Sequence, residues 1–279
     1  MRILLTNDDG IYAPGLAAME RALRRLGDVY VVAPSREQSG VAHSITFLTP
    51  LLAKRVFVDD KPWGWTVDGS PADCVKLGVS TILSDRPDLI VSGINGGLNA
   101  GINVLYSGTV AAAVEGAFYG IVSVAVSLEY SENSPFDRAS DLAAGVIEKI
   151  LQNDKSPRLY NLNLPLRAVE STKPEVCVVP MDVSQYWETF EKRTDPMGRS
   201  YYWLTGRPDP RQPNPVPSNC LTDMTALERG LITLTPLNYN LTDNERLPVL
   251  GTWDLTPSIP NGRSAKALEH TGPKVRVSR

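Results

Sequence analysis

Two adjacent aspartates, Asp8 and Asp9, follow the short apolar run Ile3-Leu4-Leu5 at the start of the sequence. The run leaves no room for a helix before Gly10 and therefore predicts a buried strand. In open α/β sheets, ligands bind beyond the carboxyl ends of the strands, where two neighbouring carboxylates repel each other unless a cation lies between them. The pair indicates a site for a hard cation such as Mg²⁺, Mn²⁺ or Ca²⁺. The alternative is a simple turn, which Asn7-Asp8-Asp9-Gly10 also favours.

Three more polar loops follow strand-like runs, at residues 34–44, 92–101 and 106–109. Because the carboxyl ends of parallel strands meet at one edge of a sheet, we expect these loops to converge on the aspartates. The third of the four loops is rich in glycine, and Ser107-Gly108-Thr109 begins a helix, so both are suited to bind an anion. Ordinary N-capping by Ser107 is the alternative. Neither a Walker P-loop nor a G-x-G-x-x-G fingerprint follows the first strand, so NAD or nucleoside triphosphate binding is not supported.

A metal site beside a phosphate site predicts phosphoryl chemistry. Ser39 and Asn95 would supply neutral oxygen ligands, which leave the ion more Lewis-acidic than four carboxylates would. His43 lies in the second loop and is a candidate proton donor or phosphate contact, with a hydrogen-bonding role as the alternative.

Apolar and amphipathic stretches alternate in a way that predicts strands separated by helices. Such βαβ units imply right-handed crossovers and a parallel sheet covered on both faces. The fold class is therefore α/β, a Rossmann-like, doubly wound and mostly parallel sheet. Strands are predicted at residues 28–34, 87–93, 123–129, 160–164 and 176–179, and helices at 14–26, 70–83, 109–119 and 136–151.

The character of the chain changes after Pro180, which divides it into three predicted parts. Residues 1–180 form the catalytic core, and residues 181–250 form an extension with a strand that returns to the core. Within the extension, residues 186–206 read as a projecting β-hairpin whose aromatic arms pack on a partner subunit. Residues 251–279 are rich in Pro, Gly, Ser and basic residues and are predicted to be a flexible tail.

Composition excludes several classes of protein. The 279 residues are 42% hydrophobic, which supports a large core, and the formal net charge of -3 argues against nucleic acid as a partner. No apolar run is long enough to span a membrane, and no signal peptide precedes the first strand, so we expect a cytoplasmic protein. The three cysteines have neither metal-site nor disulfide spacing and are expected to be free thiols.

Several blocks of sequence, in order, resemble the survival protein E (SurE) family of metal-dependent 5'-nucleotidases. They are residues 4–15, 32–40, 69–75, 92–95 and 106–116. The resemblance implies that Asp8, Asp9, Ser39 and Asn95 bind one divalent metal, Mg²⁺ or Mn²⁺. It also implies that the phosphate is bound by Asn99, Ser107, Gly108 and Thr109, and that the hairpin assembles dimers or tetramers.

The predicted reaction is hydrolysis of a nucleoside 5'-monophosphate to nucleoside and phosphate, with Asp8 or Asp9 orienting the attacking water. Formation of an aspartyl-phosphate is a second mechanism, disfavoured because the Asp-x-Asp pattern is missing. Two alternative functions remain at this stage. One is a nucleotide-binding regulatory module without turnover, and the other is a broader phosphatase acting on 3'-nucleotides or polyphosphate.

Overall fold

The protein is described here from a computed structural model, which covers residues 1–153, 156, 158–183, 188–208 and 221–256. The chain divides into two compact units, Met1–Tyr239 and Asn240–Arg279. The division that the sequence predicts at residue 180 stays a prediction.

The first unit is built from strands and helices that alternate through its first two thirds. The described strands are β1 (Arg2–Thr6), β2 (Asp28–Pro34), β3 (Ala53–Val58), β4 (Lys61–Val67), β5 (Leu89–Gly96), β6 (Val122–Leu128), β7 (Leu159–Leu164), β8 (Val176–Val178), β9 (Glu188–Thr194), β10 (Ser200–Pro208) and β11 (Ile232–Leu237). The described helices are α1 (Pro14–Leu23), α2 (Pro71–Leu77), α3 (Gly108–Phe118), α4 (Phe136–Asn153), α5 (Leu166–Glu170) and α6 (Asp223–Glu228). A π-helical turn, Gly78–Ile82, extends α2, and a 3-10 turn, Gly101–Leu105, precedes α3.

Nine of these strands form one sheet in the order β3-β4-β2-β1-β5-β6-β7-β11-β8. The strands from β4 to β7 are all parallel to their neighbours, whereas β3 pairs antiparallel with β4, and β11 antiparallel with β7. This arrangement confirms the predicted α/β class with a mostly parallel sheet. From β1 the chain builds outward to β2 and β4, then returns to add β5 on the other side of β1. The sheet order therefore reverses between β1 and β5, and such a switch point is where ligands bind in open α/β folds.

The central strand β1 contributes side chains to both hydrophobic layers because successive side chains of a strand point to opposite faces. Ile3 and Leu5 pack in the layer that includes residues of α1 and α4, and Leu4 packs in the layer that includes residues of α2 and α3. All three side chains are fully buried. The strand is thus held on both faces, which fixes the backbone that leads into Asp8 and Asp9.

The helices begin where the sequence provides caps. Pro14 occupies the start of α1, and Ser70 caps α2 in a reciprocal capping box with Asp73. Helix α3 can lie close to the sheet because Gly116 has no Cβ, which would come within 2.4 Å of Ser123 Oγ.

Strands β9 and β10 form a separate two-stranded antiparallel hairpin. Its turn is closed by Asp195, whose carboxylate accepts from Met197 N at 2.9 Å and from Arg199 Nε at 2.7 Å. The described part of the predicted 186–206 hairpin therefore forms the expected structure, and residues 186 and 187 lie outside the described residues. Large apolar side chains stay exposed on both strands, among them Phe190 and Trp203.

The second unit contains one described helix, α7 (Arg246–Leu250), all of whose residues are exposed. Residues 257–279 of the predicted tail lie outside the described residues. No helix in the described parts of the chain combines the length and the apolar character needed to cross a membrane.

Candidate metal and phosphate site

Asp8 occupies the end of β1, at the switch point, and is almost completely buried. Its carboxylate accepts hydrogen bonds from Thr109, with Oγ1 at 2.5 Å from Oδ1 and the backbone N at 3.1 Å from Oδ2. Burial raises the pKa of Asp8 to about 6, against the opposing effect of the Thr109 bond and with a further increase from the charge of Asp9. The structure thus holds a carboxylate where its charge is poorly solvated, which is a typical property of functional sites.

Helix α3 is positioned so that its first turn contacts this carboxylate. Ser107 is the N-cap and accepts from Val110 N at 3.2 Å. Gly108 allows the close approach, since a Cβ there would lie 2.9 Å from Asp8 Cβ and 3.2 Å from Gln38 O. The N–H group of Gly108 has no acceptor inside the helix. A helix start with a free N–H group and a positive dipole end favours an anion. Both donors of Thr109 are already bonded to Asp8, and the role of residues 107–109 in phosphate binding stays a prediction.

Asp9 lies beside the end of β5. Its Oδ2 accepts from Gly96 N at 3.3 Å, and burial raises its pKa above the ordinary value, with a further increase from the charge of Glu37. The amide nitrogen of Asn95 donates to Gly97 O at 2.7 Å. Because this bond uses the nitrogen, and no hydrogen bond among the described residues reaches Asn95 Oδ1, that oxygen remains free to act as a ligand.

The backbone next to Ser39 contacts Asp8, whereas the Ser39 side chain does not. Gln38 N donates to Asp8 O at 2.7 Å, which fixes the segment against the end of β1. The Ser39 hydroxyl itself is exposed and donates to Glu37 Oε1 at 2.7 Å. Its lone pairs remain available to a cation, and its role as a metal ligand stays a prediction. Glu37 thus accepts a hydrogen bond from Ser39, and its charge contributes to the raised pKa of Asp9.

Asn99 is held by a network that the sequence did not reveal. Its backbone N donates to Asn163 Oδ1 at 2.8 Å, and its backbone O accepts from Asn161 Nδ2 at 2.7 Å. Its side-chain nitrogen donates to Ser127 Oγ at 2.9 Å. Asn161 and Asn163 are fully buried on β7, and this alternation of asparagines in a strand was the available signal. The network fixes the third loop, while the phosphate contact of Asn99 stays a prediction.

The structure does not bring His43 to the aspartates. Its Nε2 lies 2.9 Å from Glu115 Oε2, and its ring stacks on Phe118 with centroids 5.3 Å apart. Glu115 is seven residues beyond Gly108, which is about 10 Å along a helix, so the imidazole faces the far part of α3. Glu115 also accepts from Lys76 Nζ at 2.7 Å, and these two partners outweigh its burial and lower its pKa. The geometry favours the hydrogen-bonding alternative for His43, and its contact with substrate stays a prediction.

The residues at the switch point fit a hard divalent cation. Among the described residues, no group of three or more His, Cys, Asp or Glu side chains is arranged to hold a metal. A cation bound at the aspartate pair would therefore need neutral oxygen ligands beside the two carboxylates. Asn7 Oδ1, next to the pair, is buried and has no hydrogen-bond partner in the described structure. A cation that prefers oxygen ligands would stabilise both the ionised Asp8 carboxylate and the unpartnered Asn7 oxygen at this strand end.

A doubly wound α/β sheet with an acidic, oxygen-lined crevice at its switch point is typical of proteins that bind phosphorylated ligands with the help of a metal. The chain belongs to the SurE family. A sequence model of the family described as "Survival protein SurE" matches residues 3–188.

Similar proteins extend this match over most of the chain. The protein named 5'-nucleotidase SurE of Rhodopirellula baltica is 56% identical over 92% of this chain and 100% of its own length. The protein of the same name from Crocosphaera subtropica is 43% identical over 87% of this chain and 91% of its own. Among solved structures, the SurE protein from Aquifex aeolicus superposes with a TM-score of 0.75 at 37% identity, covering 90% of this chain and 98% of that one. The fold and the family predicted from the sequence are confirmed.

Proposed function

We propose that this protein is a 5'-nucleotidase that hydrolyses nucleoside 5'-monophosphates with the help of one divalent metal ion, Mg²⁺ or Mn²⁺. The observation that carries the proposal is the Asp8–Asp9 pair at the switch point, in which Asp8 is buried against the start of α3 and Asp9 is half-buried. The names of the similar proteins, which cover nearly the whole chain, support the same activity.

In this proposal Asp8, Asp9, Ser39 and Asn95 hold the cation, which when bound neutralises phosphate charge and activates water for attack. The chain positions the reactants. Thr109 fixes both oxygens of Asp8, and Asp9 is fixed by Gly96 N, so the two carboxylates have defined orientations. Either carboxylate can then accept a hydrogen bond from the attacking water and hold it in line with the P–O bond. The N–H groups at Ser107 and Gly108 and the side chain of Asn99 stabilise charge on the phosphate oxygens.

The test is phosphate release from AMP and GMP after treatment with EDTA, with and without added Mg²⁺ or Mn²⁺. We expect turnover only with metal, and a loss of at least about 100-fold in kcat/KM for Asp9→Asn. Asp141→Asn is the matched control, because Asp141 is exposed on α4 and its side chain forms no hydrogen bond or ion pair in the described structure. Tight AMP binding without phosphate release under either metal would instead support the regulatory module. Faster release from 3'-AMP or polyphosphate would support the broader phosphatase.

We also propose that the β9–β10 hairpin mediates self-association into dimers or tetramers. Phe190 and Leu204 are cross-strand partners and form an exposed apolar patch on one face of the hairpin, while Trp203 is exposed on the other face. Exposed apolar surface of this kind usually contacts another chain. Light scattering after size exclusion should give an oligomer for the wild type and a smaller species for the double variant Phe190→Lys, Trp203→Lys. The control is Phe57→Lys, on the exposed edge strand β3, and an unchanged mass for the double variant would exclude the hairpin as the interface.

The cytoplasmic location expected from the sequence stays a prediction. The buried thiol of Cys74, which forms no disulfide in the described structure, fits a reducing compartment. The expected lack of nucleic-acid and membrane partners is likewise a prediction.

A further inference from the structure

A polar cavity of about 520 Å³ opens between the loop after β2 and the loop after β4. Its lining includes Arg36, Gln38, Ile45 and Asp68, and hydroxyl groups supply much of the remaining surface. This volume lies in the range of cavities that bind small ligands, which is roughly 300–1,000 Å³. The cavity has not been assigned a role in the phosphate chemistry described above.

The cavity adjoins the aspartate pair through shared backbone. Gln38, which lines it, donates its N–H to Asp8 O at 2.7 Å. Gly10 packs on the same segment, where a Cβ would lie 3.2 Å from the carbonyl carbon of Arg36. One side of the segment at 35–38 therefore faces the metal and phosphate site, and the same segment forms a wall of the cavity.

Two charged groups in the lining have no ion pair or side-chain hydrogen bond in the described structure. They are the guanidinium of Arg36 and the carboxylate of Asp68, whose backbone is fixed by a bond from its N to Leu52 O at 2.9 Å. Asp73 differs from Asp68, because its carboxylate accepts from Thr46 N, Thr46 Oγ1 and Ser70 N. Asp73 therefore holds the loop and the helix start together, whereas Asp68 remains available to a ligand.

The order of the strands indicates how a ligand would extend from the aspartate pair into the cavity. Asp8 and Asp9 follow β1, Arg36 follows β2, and Asp68 follows β4, and these three strands are neighbours in the sheet. Two strand spacings separate the first and last groups, which is about 10 Å and the scale of one mononucleotide. An acidic side chain at the end of a parallel strand is also the usual acceptor for ribose hydroxyls in dinucleotide-binding folds.

We propose that this cavity binds the nucleoside half of a ribonucleotide, with the Asp68 carboxylate accepting hydrogen bonds from the 2'- and 3'-hydroxyls of the ribose. The inference rests on the proposed 5'-nucleotidase function and identifies the nucleoside as a part of the substrate that the enzyme recognises. Ile45, which is half exposed, supplies an apolar surface for the base, and Arg36 lies between the ribose and the phosphate. Asp68 thereby makes the site prefer ribonucleotides to phosphomonoesters without the diol.

The experiment compares Asp68→Ala with the wild type on AMP, on 2',3'-dideoxy-AMP and on 4-nitrophenyl phosphate, all with saturating metal. Loss of a hydrogen bond to a charged acceptor should lower kcat/KM for AMP by about 10- to 100-fold, mainly through KM. Activity on the two substrates without ribose hydroxyls should change less than about twofold. Asp141→Ala, an exposed aspartate on α4, is the control and should match the wild type on all three.

Two results would overturn the proposal. One is unchanged kcat/KM for AMP in Asp68→Ala, and the other is an equal loss on 4-nitrophenyl phosphate, which would place the effect on the phosphate site or the fold. If the wild type itself releases no phosphate, the proposed function fails, but the cavity remains testable by calorimetry in EDTA. In that case AMP should bind Asp68→Ala about 10- to 100-fold more weakly than it binds the wild type, and 2',3'-dideoxy-AMP should bind both equally.

Discussion

Replacing Asp8 by asparagine should make the metal-free protein more stable at pH 8 while removing one of the proposed metal ligands. Burial raises the Asp8 pKa from 3.8 to about 6 in the folded state, so the folded protein holds this proton more tightly than the unfolded chain does. The ionised carboxylate therefore destabilises the fold above about pH 6, and the penalty disappears as the pH falls below 3.8. A shift of about 2 units corresponds to about 3 kcal/mol. The asparagine oxygen can still accept from Thr109 N, but its NH₂ group can bond the Thr109 hydroxyl only if that hydroxyl rotates to accept. The expected net increase in the free energy of unfolding is therefore about 1–3 kcal/mol.

The assay is urea unfolding of the wild type and Asp8→Asn in EDTA at pH 8 and pH 4, with Asp141→Asn as the control. The variant should have the higher midpoint at pH 8, and the difference should shrink toward zero at pH 4. Adding Mn²⁺ at about 100 times its dissociation constant should stabilise only the wild type, by about 2.7 kcal/mol. A variant less stable than the wild type at pH 8 in EDTA would contradict the conclusion that the ionised Asp8 carboxylate destabilises the folded protein.

Three further substitutions test the parts that position the site. Gly108→Ala places a Cβ 2.9 Å from the Cβ of the first aspartate and should lower kcat/KM for AMP by about 100-fold. Asn163→Ala removes two bonds to Asn99 and should raise KM for AMP and lower the free energy of unfolding by roughly 1–3 kcal/mol. Glu115→Gln should lower the free energy of unfolding by about 1–2 kcal/mol at pH 7. Because the folded-state pKa of Glu115 is lowered, this last difference should fade as the pH drops below its ordinary value of 4.5.

Each of these variants has a matched control outside the site. Gly145→Ala, Asn133→Ala and Glu148→Gln change the same residue types at positions in or near α4. Unchanged AMP kinetics in Gly108→Ala would contradict the close packing of α3 on Asp8. Unchanged KM in Asn163→Ala would show that the third loop needs no support from β7. A stability loss in Glu115→Gln that does not shrink as the pH falls below 4.5 would exclude the ionised carboxylate as its source.

The sequence predicted the central strands well because burial on both faces determines their residue pattern. Strands buried on both faces read as continuous apolar runs, and the predicted 28–34 run matches β2 (Asp28–Pro34). The outer hairpin β3–β4 was missed, since Lys54, Arg55 and Lys61 interrupt any apolar run at the exposed edge of the sheet. The sequence also did not predict that the helix starting at Ser70 changes to a π-helical turn at Gly78.

The sequence predicted that the polar loops after the strands converge, but it did not predict the residues that support those loops. Asp8 and Thr109 meet as expected because both lie at the switch point, which the βαβ pattern predicts. Asn161 and Asn163 are visible in the sequence as alternating asparagines, but their contact with Asn99 was not predictable, since a single sequence does not show which loop lies opposite β7. The same limit applies to His43, whose partner Glu115 depends on the path of a loop across α3.

The separation of Asp8 and Thr109 along the chain has a consequence for synthesis on the ribosome. Strand β1 emerges first, yet its two neighbours in the sheet begin at Asp28 and Leu89, and Thr109 follows 101 residues after Asp8. At about 5–20 residues per second, at least about five seconds pass between the synthesis of Asp8 and that of Thr109. During that interval a strand that the finished sheet buries on both faces has an open edge, so nascent chains are most exposed to misassociation before β5 appears. A truncated chain ending before α3 would keep all four proposed metal ligands but would leave the Asp8 carboxylate without the two Thr109 contacts that fix it.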